Sequence, residues 1–252
     1  YNAVMTRGDL VIANSAYTRA HVLAEHGVDP AKVVAIPRGV DLARFDPDRV
    51  SSDRVTALRR AWEVEPDEPR PVFLLAGRMT RWKGQVLAAD ALRRSGLDAV
   101  LVLAGDAQGR TDYLDEVEVL FAALGDRVRI VGHVEDMPAA YLAADVALAP
   151  SLQPEAFGRT GVEPQAMGRP VLVADHGATA ETVEHRVTGL RVPPGDIDAW
   201  AAALREAAAW SPERRAAMGA AGRERVRRLF SLERMCADTL AVYARVLEAR
   251  RA

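Results

Sequence analysis

Residues 146–174 read VALAPSLQPEAFGRTGVEPQAMGRPVLVA, a segment in which two apolar runs flank a glycine-punctuated turn and a helix-like stretch. The runs at 146–149 and 171–174 are apolar throughout rather than at every second residue, which predicts strands covered on both faces of a parallel sheet. Glu155 follows the first run, and Glu163 lies eight positions later at or within the start of the predicted helix. We therefore expect a strand, a loop with a carboxylate at each end, a helix and a second strand.

The same order of strand and helix recurs along the chain. Other apolar or β-branched runs are predicted strands at Leu10–Ala13, Val33–Ile36, Val72–Ala76, Ala99–Ala104 and Val128–Val131. Helix-period stretches lie at Tyr17–His26, Asp53–Trp62, Lys83–Arg94, Asp112–Leu124, Met137–Ala144, Ala199–Ala209, Pro212–Leu229 and Ser231–Ala249. This alternation predicts an α/β fold with a Rossmann-like parallel sheet flanked by helices.

A proline-rich segment, residues 38–71, interrupts the alternation. Prolines and glycines cluster where domains join, so we place a domain boundary near Arg38–Asp48. Residues 1–37 would then be the end of a preceding α/β domain. The chain also begins with Tyr1 rather than methionine, and we expect it to be part of a longer protein.

Composition restricts the function classes. The formal charge of −2 over 252 residues gives no net field for nucleic acid, so we expect no nucleic-acid partner. Cys236 is the only cysteine, which excludes a disulfide or a thiolate metal site within the chain. No apolar run approaches the roughly 18 residues of a membrane span, and a cytoplasmic location is expected.

The loops after the predicted strands are the first candidates for a site, because ligands of open parallel sheets bind at the carboxyl ends of the strands. Residues 77–84, GRMTRWKG, offer Arg78, Lys83 and free backbone N–H groups as an anion cradle. The alternative is a basic surface loop. Gly105 and Gly132 permit close approach of a ligand, and His133 is either a donor to that ligand or an ordinary loop residue.

The carboxylates of Glu155 and Glu163 are suited to accept hydrogen bonds from vicinal hydroxyls, as in sugars. Gly158 and Gly161 remove side chains from the turn between them, so backbone N–H groups can face a ligand. Pro164 follows Glu163 and disfavours helical geometry there, which predicts a late helix start or a kink.

Two further patterns have simpler interpretations. Asp196 and Asp198 form the D-x-D pattern of metal-dependent sugar transferases, but Asp196 precedes a predicted helix and is interpreted as its N-cap. We expect no metal. Four arginines of the C-terminal helices are interpreted as a solvated helix face: Arg223, Arg225, Arg227 and Arg228.

Three segments together resemble one family. PEAFGRTGVE, residues 154–163, is similar to the E-x7-E signature of group 1 retaining glycosyltransferases of the GT-B fold, and GRMTRWKG resembles their phosphate loop. Residues 11–47 resemble the end of the N-terminal domain and the hinge. The chain thus resembles the C-terminal, donor-binding half with a remnant of the N-terminal domain, and within the family it is most similar to lipopolysaccharide-core sugar transferases.

The resemblance implies roles for single residues. The catalytic residues would be Arg78, Lys83 and Glu155. Arg78 and Lys83 would hold the donor diphosphate and stabilise the charge growing on the leaving group, Glu155 would bind the donor-sugar hydroxyls, and Glu163 would bind the ribose hydroxyls. The base would lie near Gly132 and His133. The remaining donor-binding positions are Gly77, Gly105 and the backbone at Phe157, Gly158, Arg159 and Thr160. Transfer would retain the anomeric configuration, the substrate would be a nucleotide-diphosphate sugar, and no cofactor would be needed.

The resemblance also divides the chain and names its partners. Residues 1–40 would end the acceptor-side domain, residues 41–230 would bind the donor, and residues 231–252 would form a helix returning to the first domain. A glycan or lipid-linked acceptor would bind through the absent domain, so the fragment would be inactive or weakly active. Peripheral membrane association of the full-length protein and a dimer through the exposed last helix are compatible with this arrangement.

Two other functions remain as alternatives. The first is a catalytically silent module that binds a nucleotide sugar. The second is an NAD-dependent oxidoreductase, which is disfavoured because no predicted strand is followed by G-x-G-x-x-G. The nucleotide base, the sugar and the acceptor stay open.

Overall fold

A computed structural model describes residues 2–106, 109 and 111–251. The strands in this part of the chain are β1 Val11–Ala13, β2 Val33–Ala35, β3 Val72–Ala76, β4 Val100–Ala104, β5 Val128–Gly132, β6 Val146–Ala149, β7 Val171–Ala174 and β8 Gly189–Val192. The α-helices are α1 Ala16–His26, α2 Ser52–Ala61, α3 Gln85–Ser95, α4 Thr111–Ala122, α5 Met137–Ala143, α6 Arg159–Ala166, α7 Thr179–Thr182, α8 Ile197–Ala208, α9 Pro212–Leu229 and α10 Leu232–Ala249.

The main sheet has six parallel strands in the order β5-β4-β3-β6-β7-β8. The four inner strands β4, β3, β6 and β7 are buried throughout, so the side chains that alternate along each strand are covered on both faces of the sheet. Phe73 and Leu75 of β3 pack in the layer that contains α3 and α8. Val72 and Leu74 pack in the opposite layer, with residues of α5 and α6. The predicted α/β fold with a parallel sheet flanked by helices is confirmed.

The strand order creates a crevice at the centre of the sheet. From β3 the chain runs outward through β4 and β5, then returns to β6 beside β3 and runs outward the other way through β7 and β8. The connections after β3 and β6 therefore diverge at neighbouring carboxyl ends. Ligands of doubly wound sheets bind at such a switch point.

Two elements were not predicted from the sequence, β8 and α7. The strand Gly189–Val192 contains only two large apolar residues that are buried, Leu190 and Val192, so it lacks the continuous apolar run of the other strands. The helix Thr179–Thr182 is a single turn and has no periodicity that could be read. Pairing with β7 holds β8 at the edge of the sheet.

The N-terminal residues form a separate unit, in which β1 and β2 make a two-stranded parallel sheet crossed by α1. The chain leaves this unit beside Val40 and returns at the start of α10. Val40 N–H donates to the Phe230 carbonyl at 2.8 Å, and Leu232 N–H donates to the Val40 carbonyl at 3.0 Å. At the far end of α10, Arg250 pairs with Asp9 at 2.6 Å. The two crossings, where the chain passes between the units at Val40 and at Leu232, thus lie side by side.

The prediction of a solvated arginine face is wrong for two of the four residues. Arg223 of α9 pairs with Asp46 at 2.7 Å and with Asp48 at 3.1 Å, which ties the helix to the segment after the hinge. Arg225 donates to the Glu181 carbonyl at 2.7 Å. Arg227 and Arg228 are exposed as predicted. Within the described residues, we find no helix with the length and apolar character that crossing a bilayer requires.

Candidate active site

The loops that follow β3 and β6 contact each other at the switch point. Leu152 N–H donates to the Trp82 carbonyl at 2.7 Å. Gly84 has a φ of +78°, and a Cβ at this position would lie 2.2 Å from the Pro150 carbonyl oxygen. Only glycine permits this close approach. The contact brings the end of the first loop, Lys83, to the end of the second, Glu155.

Lys83 and Glu155 form a buried ion pair between these loops. Lys83 Nζ lies 2.5 Å from Glu155 Oε1, and the Ser151 hydroxyl donates to the same oxygen at 2.7 Å. The two side chains are only 14% and 11% exposed. The ammonium also lies 4.2 Å from the centre of the Trp82 ring. Low hydration strengthens the attraction of the ammonium to both the carboxylate and the aromatic ring.

Three predicted glycines form the rim of the sheet beside this pair. Gly77 N–H donates to the Ala104 carbonyl at 2.8 Å, and Gly105 N–H donates to the Gly132 carbonyl at 2.7 Å. Gly105 has a φ of +153°, and a Cβ there would lie 1.9 Å from the Gly77 carbonyl oxygen. The backbones of the three strand ends are therefore in direct contact, and no side chain lies between them. His133 follows this rim and is exposed.

The backbone of residues 77–84 is less available to an anion than the sequence suggested. The N–H groups of Gly77, Met79, Lys83 and Gly84 all donate to carbonyls within the protein. The Arg78 carbonyl accepts from the Gln85 side chain at 2.8 Å. Half of the N–H groups of this loop are therefore already used within the protein, whereas the Arg78 side chain is exposed to solvent.

Glu163 lies in α6 and has a donor on each carboxylate oxygen. The Arg159 guanidinium contacts Oε1 at 2.7 Å, and the Tyr141 hydroxyl donates to Oε2 at 3.1 Å. Burial, together with the negative charge of Glu163, holds the pKa of Tyr141 well above its usual range. Tyr141 is therefore a neutral donor. Sequence reasoning missed it, because a tyrosine among the apolar residues of α5 reads as an ordinary core residue.

The turn between the two carboxylates buries one of the predicted donor-binding side chains and leaves backbone N–H groups free at others. Phe157 is buried and packs edge-on against Phe230 at 5.8 Å between ring centres, so only its backbone can face a ligand. Gly158 has a left-handed conformation and precedes α6 without a side-chain cap. The first N–H groups of the helix, at Arg159 and Thr160, lack intrahelical acceptors and point toward its N-terminal end.

Of the two outcomes expected at Pro164, the late helix start is wrong, and the kink stays a prediction. The helix begins at Arg159 and continues through Pro164 to Ala166. The proline is tolerated because its missing N–H removes a bond only to the Thr160 carbonyl, and the helix ends two residues later. Glu163 is thus presented from a helix.

A third loop, after β7, forms hydrogen bonds with the backbone of the loop that carries Glu155. Ala178 N–H donates to the Glu155 carbonyl at 3.0 Å, and His176 Nε2 lies 2.9 Å from the Ser151 carbonyl oxygen. Neither contact was predicted, because each joins loops of different strands. The backbone of Glu155 is therefore fixed by one loop and its side chain by another.

The D-x-D pattern lies at the start of α8, away from these contacts. Asp196 accepts from the Ala199 N–H at 3.0 Å, which confirms the predicted N-cap. Asp198 pairs with Arg94 at 2.7 Å on the surface. Across the part of the chain that the structure describes, no three His, Cys, Asp or Glu side chains gather as metal ligands would.

Two family profiles match the chain. The profile described as glycosyl transferases group 1 matches residues 59–225, and that of glycosyltransferase family 4 matches residues 1–44. The D-inositol 3-phosphate glycosyltransferase of Xylanimonas cellulosilytica is 34% identical over 98% of this chain and 59% of its own length. The chain therefore spans less than two thirds of this curated relative.

Solved structures show the same relationship. A glycosyltransferase from Rickettsia africae superposes with a TM-score of 0.92 at 29% identity, over 98% of this chain and 66% of its own. Anabaena HepE, solved in complex with UDP-glucose, superposes with a TM-score of 0.84 at 27% identity, over 95% and 65% of the two chains. The match to the group 1 profile covers most of the chain and includes both carboxylates and the loop of Lys83. The chain therefore belongs to the group 1 glycosyltransferases.

Proposed function

We propose that this chain is the donor-binding part of a retaining glycosyltransferase that takes a sugar from a nucleotide-diphosphate sugar. The observation that carries the proposal is the Lys83–Glu155 pair at the switch point of the sheet. There the Lys83 ammonium, which would bind phosphate, is in direct contact with the Glu155 carboxylate, which would bind hydroxyls. Glu163 and the uncapped start of α6 follow on the same turn.

The diphosphate would be held by side chains and by a helix end. Arg78 is exposed and Lys83 is the buried cation of the same loop, so both can neutralise charge that grows on the leaving group. The N–H groups at the start of α6 add donors for phosphate oxygens. The glycine rim of Gly77, Gly105 and Gly132 leaves room for the nucleoside, with His133 beside it.

The hydroxyl groups of the donor would meet the two carboxylates. Glu155 would accept from hydroxyls of the transferred sugar while Lys83 and Ser151 fix its orientation. Glu163 would accept from the ribose, held by Tyr141 and Arg159. Because Glu155 already accepts two donors on one oxygen, we assign it to binding rather than to nucleophilic attack. Retention would follow if the acceptor hydroxyl bonds to C1 of the sugar on the same face from which the phosphate oxygen departs, with that phosphate taking the hydroxyl proton.

Calorimetry tests the donor site. UDP-, GDP- and ADP-sugars are titrated into the wild-type chain and into Lys83→Ala and Glu163→Ala. We expect one nucleotide class to bind and each substitution to weaken it at least tenfold, since each removes a charge-assisted contact of about 1.5–3 kcal/mol. Lys32→Ala, at the only other lysine of the chain, is the matched control. Binding that neither substitution weakens would show that the site is misassigned.

Transfer itself is tested on the full-length protein, because the chain spans 59% of its curated relative. Product anomers identified by NMR report retention. A protein that binds the donor but neither transfers nor hydrolyses it would be the silent binding module instead. The name of the relative favours a phosphorylated cyclitol as acceptor over a lipopolysaccharide core, so inositol phosphates are the first acceptors to include.

We also propose that the exposed apolar side of α10 is covered in a dimer. Leu240, Tyr243 and Leu247 are 64%, 58% and 56% exposed on this helix. Burying such side chains against a second copy would gain free energy in proportion to the apolar area. Sedimentation velocity of the wild type and of Leu240→Arg checks this. A wild-type chain that stays monomeric at high concentration contradicts the pairing.

A further inference from the structure

A cavity of about 530 Å³ lies between the loops after β3 and β6. Its volume is within the range of roughly 300–1,000 Å³ that is typical of small-molecule sites. None of the residues to which we assign donor contacts lines it. The lining residues are Met79, Thr80, Arg81, Trp82, Tyr113, Leu152 and Gln153.

Thr80 gives this cavity an unused hydrogen-bonding group. The residue is only 8% exposed, and its hydroxyl is buried without a hydrogen-bond partner. It occupies the N-cap position of the short turn 81–83 but makes no capping bond. Buried polar groups are nearly always paired, because an unpaired one loses its hydration without compensation. Because Thr80 lines the cavity, a ligand hydroxyl that displaces the atoms covering this buried oxygen would supply the missing partner.

The remaining lining residues suit a ring with polar edges. Trp82 is half-buried, Tyr113 and Met79 are buried, and together with Leu152 they provide apolar surface, while the Arg81 guanidinium lies 5.3 Å from the centre of the Tyr113 ring. Gln153 is exposed, and its amide can donate and accept. A sugar or cyclitol ring has apolar C–H faces and a girdle of hydroxyls, so it matches both kinds of surface.

We propose that this cavity is a subsite for one pyranose or cyclitol ring of the acceptor, while the rest of the acceptor binds through the absent domain. The inference rests on the proposed function. Residues 80–82 directly precede Lys83, and residues 152–153 lie just before Glu155. A ring in the cavity would therefore contact the same two loops that hold the transferred sugar, which is the place for the molecule that receives it.

Ligand-observed saturation-transfer NMR and calorimetry test the cavity without nucleotide. The probes are methyl α-D-glucopyranoside, methyl α-D-mannopyranoside and myo-inositol. We expect at least one probe to bind, and Thr80→Val and Gln153→Ala each to weaken it about threefold to tenfold. Thr56→Val, in α2 on the opposite side of the sheet, is the control that leaves binding unchanged.

The substitutions separate binding from folding. The Thr80 hydroxyl has no partner in the protein, so Thr80→Val keeps the shape of the side chain and should not lower the urea midpoint. Glu163→Ala should weaken binding of the nucleotide sugar and leave ring binding intact, because neither Glu163 nor its partners Tyr141 and Arg159 line the cavity, and this distinguishes failure of the donor site from failure of the cavity. No binding of any probe, or binding that both cavity variants retain in full, overturns the proposal.

Discussion

Glu163 is a buried carboxylate with one donor from its own helix and one from another element. Arg159 neutralises its charge, and Tyr141 fixes the rotation of the carboxyl group from α5. We predict that Tyr141→Phe lowers the free energy of unfolding by about 1–3 kcal/mol, because one carboxylate oxygen loses its buried donor. Donor affinity should fall as well, since Glu163 is no longer oriented. Urea unfolding and calorimetry measure the two effects, with Tyr17→Phe at an exposed position of α1 as the control.

The pH dependence of stability follows from the same tyrosine. The pKa of Tyr141 is raised in the folded chain by burial and by Glu163, whereas an unfolded tyrosine ionises near pH 10. The folded chain therefore retains a proton that the unfolded chain releases, and stability falls as the pH rises above about 10. Below that pH the contribution is fully present. The stability advantage of the wild type over Tyr141→Phe should shrink between pH 9 and 11 in urea titrations, and a constant difference would contradict this.

The two aspartates of the D-x-D pattern lie at the start of α8, and their contacts there distinguish a helix cap from a pair of metal ligands. Asp196 accepts from the Ala199 N–H, whereas Asp198 only pairs with Arg94 at the surface. We predict that Asp196→Ala lowers stability by about 0.5–2 kcal/mol, and Asp198→Ala by less than about 1 kcal/mol. Thermal unfolding measures both. Donor binding should be the same with EDTA as with Mg²⁺. If the wild type instead binds the donor only with Mg²⁺, and neither variant responds to Mg²⁺, the two aspartates are metal ligands.

Elements with strong patterns could be predicted, and contacts between distant elements could not. The run Val72–Ala76 is apolar throughout and ends at a glycine, so both its identity and its bounds follow from the sequence. The short strand Gly189–Val192 depends on its pairing with β7. At the site, loops at the carboxyl ends of parallel strands lie at one edge of the sheet, so the sequence predicts that Lys83 and Glu155 face the same crevice. The Tyr141 contact to Glu163 depends on the packing of α5 against the helix that follows β6, which no local pattern encodes.

The N-terminal unit and the main sheet are joined close to the proposed sugar site. The Ser15 hydroxyl donates to the Ala156 carbonyl at 2.7 Å, next to Glu155 in the chain. The Glu181 carboxylate of α7 accepts from the N–H groups of Ala16 and Tyr17 at 3.0 Å and 2.5 Å. A side chain of one unit thus caps a helix of the other, and movement between the units would reach the Glu155 loop through these bonds.

This cap leads to a prediction about the whole molecule. Glu181→Ala removes the acceptor of two N–H groups at the start of α1 and a negative charge from its positive end, which together stabilise a helix terminus by about 1 kcal/mol. We expect faster amide hydrogen exchange at residues 15–20 and unchanged exchange in β3, β4 and β6. Glu25→Ala, at an exposed position of α1, should leave both regions unchanged. If exchange at residues 15–20 stays as slow in Glu181→Ala as in the wild type, the Glu181 cap does not stabilise the start of α1.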